Sequence, residues 1–289
     1  VGPEWLTSSE RHRELLDVSD PEQALDEEAI RRFARHIVLP EVGGVGQSRL
    51  LRSRVLIIGA GGLGSPLLLY LAAAGVGTLG VVDDDVVDVS NLQRQVIHDT
   101  ASVGRPKVDS AAARLGAIDP RVRVITHAER LDADNADRLV AGYDLVADGS
   151  DSFETRSLVH EACQALGRTL VSASVQGLDG QLTTYKSHLG PPHPCFRCLF
   201  PEAPSGRALP TCAQGGVLGP AAGVIGTLQA VEVVKELLGI GQSLSGTLLL
   251  YDALAARLDR IRLPRAPACA AGCTRSRPAP SGSRKSVRF

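Results

Sequence analysis

The stretch from Arg54 to Gly64 limits the possible folds more than any other. The apolar run Arg54–Ile58 leads directly into Gly59-Ala-Gly61-Gly62-Leu-Gly64, and an uncharged segment with helical character follows. An unbroken apolar run of this length suits a strand buried on both faces. The glycines fit G-x-G-x-x-G between a strand and a helix, the setting in which that pattern carries meaning. Glycine permits a tight turn and lets backbone amides approach a phosphate. The helix start behind it adds unpaired N–H groups and the positive end of the dipole. Asp83 lies 19 residues past Gly64, at the end of a second apolar run, Thr78–Val82, and suits a bond to a ribose hydroxyl. A glycine-rich turn without a ligand would satisfy the same pattern.

The chain then alternates. Helical patterns are predicted at Ser65–Ala74, Lys107–Ala117, Ser152–Leu166 and Ala221–Leu238, and strand patterns at Arg121–His127, Asp144–Ala147, Thr169–Val175, Gln181–Lys186 and Thr247–Tyr251. Such alternation predicts an α/β fold, a Rossmann-like doubly wound, mostly parallel sheet. Residues 189–211 hold six prolines and interrupt it, so an added crossover loop and a C-terminal antiparallel sheet segment are expected. Upstream, one helix is predicted from just after Asp20-Pro21 to near Pro40, followed by a glycine-rich link, GGVGQ, and a basic segment, RLLRSR. Three regions result: a polar segment 1–26, one domain over 27–273, and a Ser/Arg/Pro-rich basic tail 274–289 expected to be disordered.

Composition removes several function classes. Net charge is −1 and aromatics are 3% of the 289 residues, which leaves no global case for binding nucleic acid or anionic lipid. Val55–Val82 carries no charge and is long enough to span a bilayer, but seven glycines and Pro66 break it up; Ala213–Val231 is likewise interrupted by Pro220. Both read as buried elements, so no stable membrane insertion is expected. The first residues lack an apolar signal core, so a cytoplasmic location and reduced thiols are expected for the six cysteines.

Other groups carry more chemistry than a nicotinamide dehydrogenase needs. Asp85 adds a second acid, Ser90-Asn91-Leu92-Gln93-Arg94-Gln95 follows, Lys107 ends Gly-Arg-Pro-Lys, and Asp151 follows a strand pattern. An arginine and a lysine beside a nucleotide suit a triphosphate, and an acid there suits Mg²⁺. Each alone could be a solvated surface charge. Cys195-x-x-Cys198 and Cys269-x-x-x-Cys273 have spacings that suit a structural tetrahedral zinc, with unliganded thiols as the alternative. Cys163 reads as core. His36, His98 and His188 lack metal-ligand spacing, and Asp84 and Asp88 read as solvated.

Together Arg32-Phe-Ala-Arg35, GAGGLG, Asp83-x-Asp85, SNLQRQ, GRPK, SDSFETR, CFRC, TCAQGGVLGP and the distal cysteine pair resemble the ThiF/MoeB family, bacterial relatives of ubiquitin-activating enzymes, over about residues 27–273. The resemblance implies ATP bound by Gly62, Asp83, Asn91, Arg94 and Lys107, with Gly59, Gly61, Gly64, Asp85, Ser90, Gln93 and Ser152 completing the set. It implies Mg²⁺ on Asp151, zinc on Cys195, Cys198, Cys269 and Cys273, and a homodimer in which Arg35 reaches the partner's ATP. The implied reaction is adenylylation of the C-terminal Gly-Gly carboxylate of a small ubiquitin-like sulfur-carrier protein, for molybdopterin, thiamin or related biosynthesis. Some family members use the cysteine matching Cys212 for a covalent link to the carrier; a buried small residue is the alternative. No rhodanese-like stretch follows residue 275, so a sulfur donor in trans is expected. Two features depart from the family: Asp151-Ser152 stands where Asp-Asn is usual, and the distal cysteines are separated by three residues rather than two. A NAD-dependent oxidoreductase, a non-catalytic nucleotide-binding scaffold and adenylylation of a different carboxylate are the alternatives.

Overall fold

The computed structural model describes residues 25–201, 216–267 and 269. Cys212, Cys273, the start of the N-terminal helix predicted after Pro21 and the 274–289 tail lie outside the described residues.

Strands β1 (Arg54–Ile58), β2 (Thr78–Val82), β3 (Arg123–His127), β4 (Leu145–Asp148) and β5 (Thr169–Gln176) form a parallel block in the order β3-β2-β1-β4-β5. Strands β6 (Asp179–Tyr185), β7 (Thr247–Asp252) and β8 (Arg257–Arg262) continue the same eight-stranded sheet antiparallel. Among the described residues the helices are α1 (Glu27–Arg32), α2 (Ala34–Ile37), α3 (Gly43–Arg52), α4 (Gly64–Ala73), α5 (Lys107–Ile118), α6 (Ala136–Ala141), α7 (Phe153–Leu166), α8 (Phe196–Leu199) and α9 (Gly219–Leu238). This is the doubly wound fold expected, with its antiparallel end.

The two-residue period of a strand explains why β1 is apolar throughout. Val55 and Ile57 join the core that α4, α5 and α9 cover, while Leu56 and Ile58 join the opposite core under α6 and α7. Each such side chain contributes about 1.5–3 kcal/mol by leaving water. Helix α9 crosses α4 closely at Gly226, where an added Cβ would lie 2.4 Å from the Leu63 carbonyl oxygen. β1 sits between β2 and β4, so chain connections diverge on either side of it and open a crevice at the strands' C-terminal ends, the usual ligand position in such sheets.

Two N-terminal expectations are corrected. Among the described residues the predicted helix is not continuous: α1 starts afresh at Glu27, where the Asp26 carboxylate caps it by accepting from Ala29 N at 2.6 Å. Buried Phe33 then interrupts it before α2. The supposed GGVGQ link is the first half of α3. Packing overrides glycine propensity there: the buried Gln47 donates to Ala74 O at 3.0 Å and meets His36 Nδ1 at 3.0 Å, and Leu50 is fully buried. Among the described residues no helix is long and apolar enough to cross a membrane.

Candidate active site

A cavity of about 390 Å³ opens at the C-terminal ends of β1, β2 and β4. The glycines that follow β1 divide the work. Gly59 has φ +92°, a conformation that other residues rarely adopt, and a Cβ on Gly64 would lie 1.9 Å from the Gly59 carbonyl oxygen. These two make the turn possible. Gly61 and Gly62 face the cavity, where a Cβ would meet nothing nearer than 3.4 Å. Buried His98 fixes the loop from behind: Nε2 lies 3.0 Å from Ala60 O and Nδ1 2.9 Å from Ser110 Oγ. Burial holds its pKa below the usual range, so a neutral ring donates from Nε2 and accepts at Nδ1.

Asp83, at the end of β2, accepts from Ala60 N at 2.8 Å and from Asp85 N at 2.9 Å. Burial raises its pKa, and the Lys107 charge opposes that rise. Lys107 opens α5, is itself buried, and places Nζ 2.7 Å from Asp85 Oδ2. Arg94 lays its stem along Gly62 and donates from Nη1 to Ser90 O at 3.3 Å. The cavity thus gathers Gly59, Gly61, Gly62, Asp83 and Asp85 on one side with Asn91, Arg94 and Lys107.

The wall after β4 contributes Asp151, exposed, and Ser152. Ser152 Oγ accepts from Thr155 N at 3.1 Å, so it serves as the N-cap of α7. Asp148, fully buried just before this turn, accepts from Ser150 N at 2.9 Å; burial raises its pKa and the Arg156 charge offsets part of the rise. Arg156 also lines the cavity and grips Ser150 O, while Gln229 Nε2 ties Asp148 O at 2.9 Å and Val171 O at 3.0 Å.

Four residues of the expected set stand outside the cavity lining. Gly64 serves the turn. Ser90 Oγ donates to Asp88 Oδ1 at 2.6 Å, so Asp88, read as merely solvated, caps the short 3₁₀ turn Val89–Asn91. Gln93 is exposed, its carbonyl packed where a Cβ on Gly219 would come within 2.3 Å. Arg35 sits exposed on α2, outside the cavity of its own chain. The sequence reading missed Asp148, Gln229 and the role of His98. Arg156 stood inside the SDSFETR motif but was given no part.

A second cluster joins Cys195 and Cys198, at α8, to Cys269. Cys195 Sγ is 3.7 Å from Cys198 Sγ and 3.2 Å from Cys269 Sγ, and Ala266 N donates to Cys198 Sγ at 3.3 Å. A tetrahedral zinc with Zn–S of about 2.3 Å needs sulfurs roughly 3.8 Å apart. The three thiols therefore could hold a metal, with little rearrangement. Cys163 is buried in the α7 core, and burial raises its thiol pKa.

The ThiF family model matches residues 33–271. The chain is 51% identical over 269 residues to "Adenylyltransferase and sulfurtransferase MOCS3" of Sus scrofa, covering 92% of this chain and 58% of that protein. The chain thus spans little more than half the length of that relative. With "Sulfur carrier protein adenylyltransferase" of Thermus thermophilus the identity is 48% over 244 residues, 84% of this chain and 90% of the relative. Among solved structures, E. coli MccB with MccA-N7isoASN superposes with a TM-score of 0.75 at 18% identity, covering 88% of this chain and 77% of that one, a likeness of fold alone.

Proposed function

The chain belongs to the ThiF family, and from that premise we propose that it adenylylates the C-terminal Gly-Gly carboxylate of a small ubiquitin-like sulfur-carrier protein, consuming ATP and releasing pyrophosphate. The observation that carries the proposal is the convergence of Arg94, Lys107, Asp83 and Asp151 on one cavity beside the open face of the glycine loop.

A carboxylate is already ionised at neutral pH and needs no general base. Its oxygen attacks the α-phosphorus, the bond from that phosphorus to the oxygen bridging the β-phosphate breaks, and pyrophosphate leaves with the electron pair. The glycine loop's amides face the phosphates, and Asp83 accepts from the ribose with its remaining lone pairs. Arg94 and Lys107 neutralise charge on the departing pyrophosphate. Arg35 lies outside its own cavity, so it serves the site only from a second copy of the chain, as a homodimer would allow. Mg²⁺, held by Asp151, would supply further neutralisation of the phosphates. Ser152 contributes through the α7 cap and through its place in the wall.

Zinc on the cysteine cluster has a structural part, fastening the crossover loop to residues near 269. Elemental analysis of purified protein should find one zinc per chain, falling to near zero in Cys195→Ser; a metal-free wild type would refute the assignment. A sulfur-donor protein is a further partner, the location is the cytoplasm, and Cys212 is a candidate for a covalent link to the carrier after adenylylation.

ATP–pyrophosphate exchange tests the function. Exchange should require a carrier ending in Gly-Gly and vanish when that carrier lacks its last glycine. Exchange indifferent to the carrier's terminus would refute the proposed substrate.

A further inference from the structure

Both polar groups of one peptide residue, Ser150, are held by charged side chains. Its N–H donates to Asp148 Oδ1 at 2.9 Å, and its carbonyl accepts from Arg156 Nε at 3.1 Å and Nη2 at 2.6 Å. Asp148 is 0% exposed, and its second oxygen accepts from Ser172 Oγ at 3.3 Å. Burying a carboxylate this completely is costly unless it is paired and hydrogen-bonded. Neighbouring structural tasks are already met by other groups. Ser152 caps α7, and Gln229 ties the β4 and β5 backbones together. What the Asp148 carboxylate and the Arg156 guanidinium share is the Ser150 backbone, the one holding the peptide group before its Cα and the other the peptide group after it. One residue further on, Asp151 lines the cavity, and among the described residues its carboxylate makes no hydrogen bond that would orient it. The point from which it reaches into the cavity is therefore set by the backbone it stands on.

We propose that Asp148 and Arg156 are positioning residues that clamp the Ser150 backbone on both sides of its Cα and so hold Asp151 where its carboxylate reaches the metal–triphosphate. The proposal rests on the adenylylation function above and assigns these two residues a part in it. Neither needs to touch the nucleotide. Groups that orient a metal ligand in this way typically cost 10–100-fold in metal affinity when removed.

The test is ATP binding by titration calorimetry on the full chain, with Mg²⁺ and with EDTA. Asp148→Ala and Arg156→Met should each lower ATP affinity in Mg²⁺ by about 10–100-fold and leave the affinity in EDTA unchanged. Asp148→Asn keeps an oxygen for the Ser150 N–H and should recover most of the loss. In an Asp151→Asn background, Asp148→Ala should cost nothing further, because both changes remove one interaction. Equal losses in Mg²⁺ and EDTA would overturn the clamp, since they would mean a direct phosphate contact or general loosening. Additive losses with Asp151→Asn would overturn it too. If Asp148→Ala does not fold, Arg156→Met, at the cavity wall, decides the question by the same comparison. Wild-type protein that binds no ATP would refute the adenylylation function itself; wild type that binds with Mg²⁺ alongside variants that match it would refute only the clamp.

Discussion

Lys107→Met should damage catalysis far more than stability, because the two costs arise in different surroundings. The Lys107 side chain is 6% exposed and its partner Asp85 is 67% exposed, 2.7 Å away. Asp85 therefore stays hydrated when the lysine is removed, and the lost pair is a screened one, worth about 1 kcal/mol or less. Methionine retains most of the packing of the buried stem. The cost at the phosphates is larger. Removing one preorganised charge-stabilising group typically costs about 2.7–4 kcal/mol in the transition state, or 10²–10³ in rate. A pH signature accompanies it. Burial already raises the Asp83 pKa, and Lys107 opposes that rise; without the lysine it rises further. A carboxyl raised above its unfolded value favours folding at low pH and loses that contribution as pH rises through the folded pKa. The variant's stability deficit should thus be greater at pH 7 than at pH 4. Urea unfolding at both pH values, run beside ATP–pyrophosphate exchange, measures all three quantities. A stability loss of several kcal/mol with less than a tenfold loss of exchange would refute the reasoning.

Three further outcomes are expected. Gly64→Ala should unfold or severely destabilise the protein, since its Cβ would lie 1.9 Å from Gly59 O, whereas Gly62→Ala should fold, having 3.4 Å to its nearest neighbour, and weaken ATP binding by narrowing the cavity; thermal melts and nucleotide titrations separate the two, and equal melting temperatures would contradict this. Ser152→Ala should cost about 1 kcal/mol through loss of the α7 cap, while Ser152→Asn, also a good cap, should be nearly neutral in denaturant unfolding; equal losses would remove the capping role. Burial lowers the His160 pKa to about 4, so its contribution to stability is complete above the unfolded value near 6.5 and declines as pH falls towards 4, by at most about 1.4 kcal/mol per pH unit; the acid slope measured in urea should be shallower in His160→Gln, and an unchanged slope would exclude His160 as a source.

Several elements were legible in the sequence because their local chemistry is unambiguous. β1 and β2 are apolar on both faces, and Gly59–Gly64 has a turn that only glycine can close. Other elements were hidden for physical reasons. β8, RLDRIR, is an edge strand exposed along most of its length, so it has no apolar face to betray it. The helix α3 begins with three glycines in four residues and is held by Gln47 and Leu50, contacts with partners remote in sequence. At the site, Arg94, Lys107, Asp83 and Asp151 stood in recognisable motifs and do meet in the cavity. Ser90 and Gln93, read from the same motif, face elsewhere, because a motif fixes neighbours along the chain and not the direction of each side chain. Asp148 and Gln229 were illegible: the hydrogen bond that joins them spans 81 positions, and nothing local marks either as polar support for a loop.

The most direct measurement is the intact mass of a Gly-Gly carrier after incubation with the protein, ATP and Mg²⁺, quenched in acid. The carrier should gain the mass of one AMP less one water, lost again on mild alkaline treatment and absent with Lys107→Met. An unmodified carrier, from protein that binds ATP and from a panel of such carriers, would contradict the proposed function.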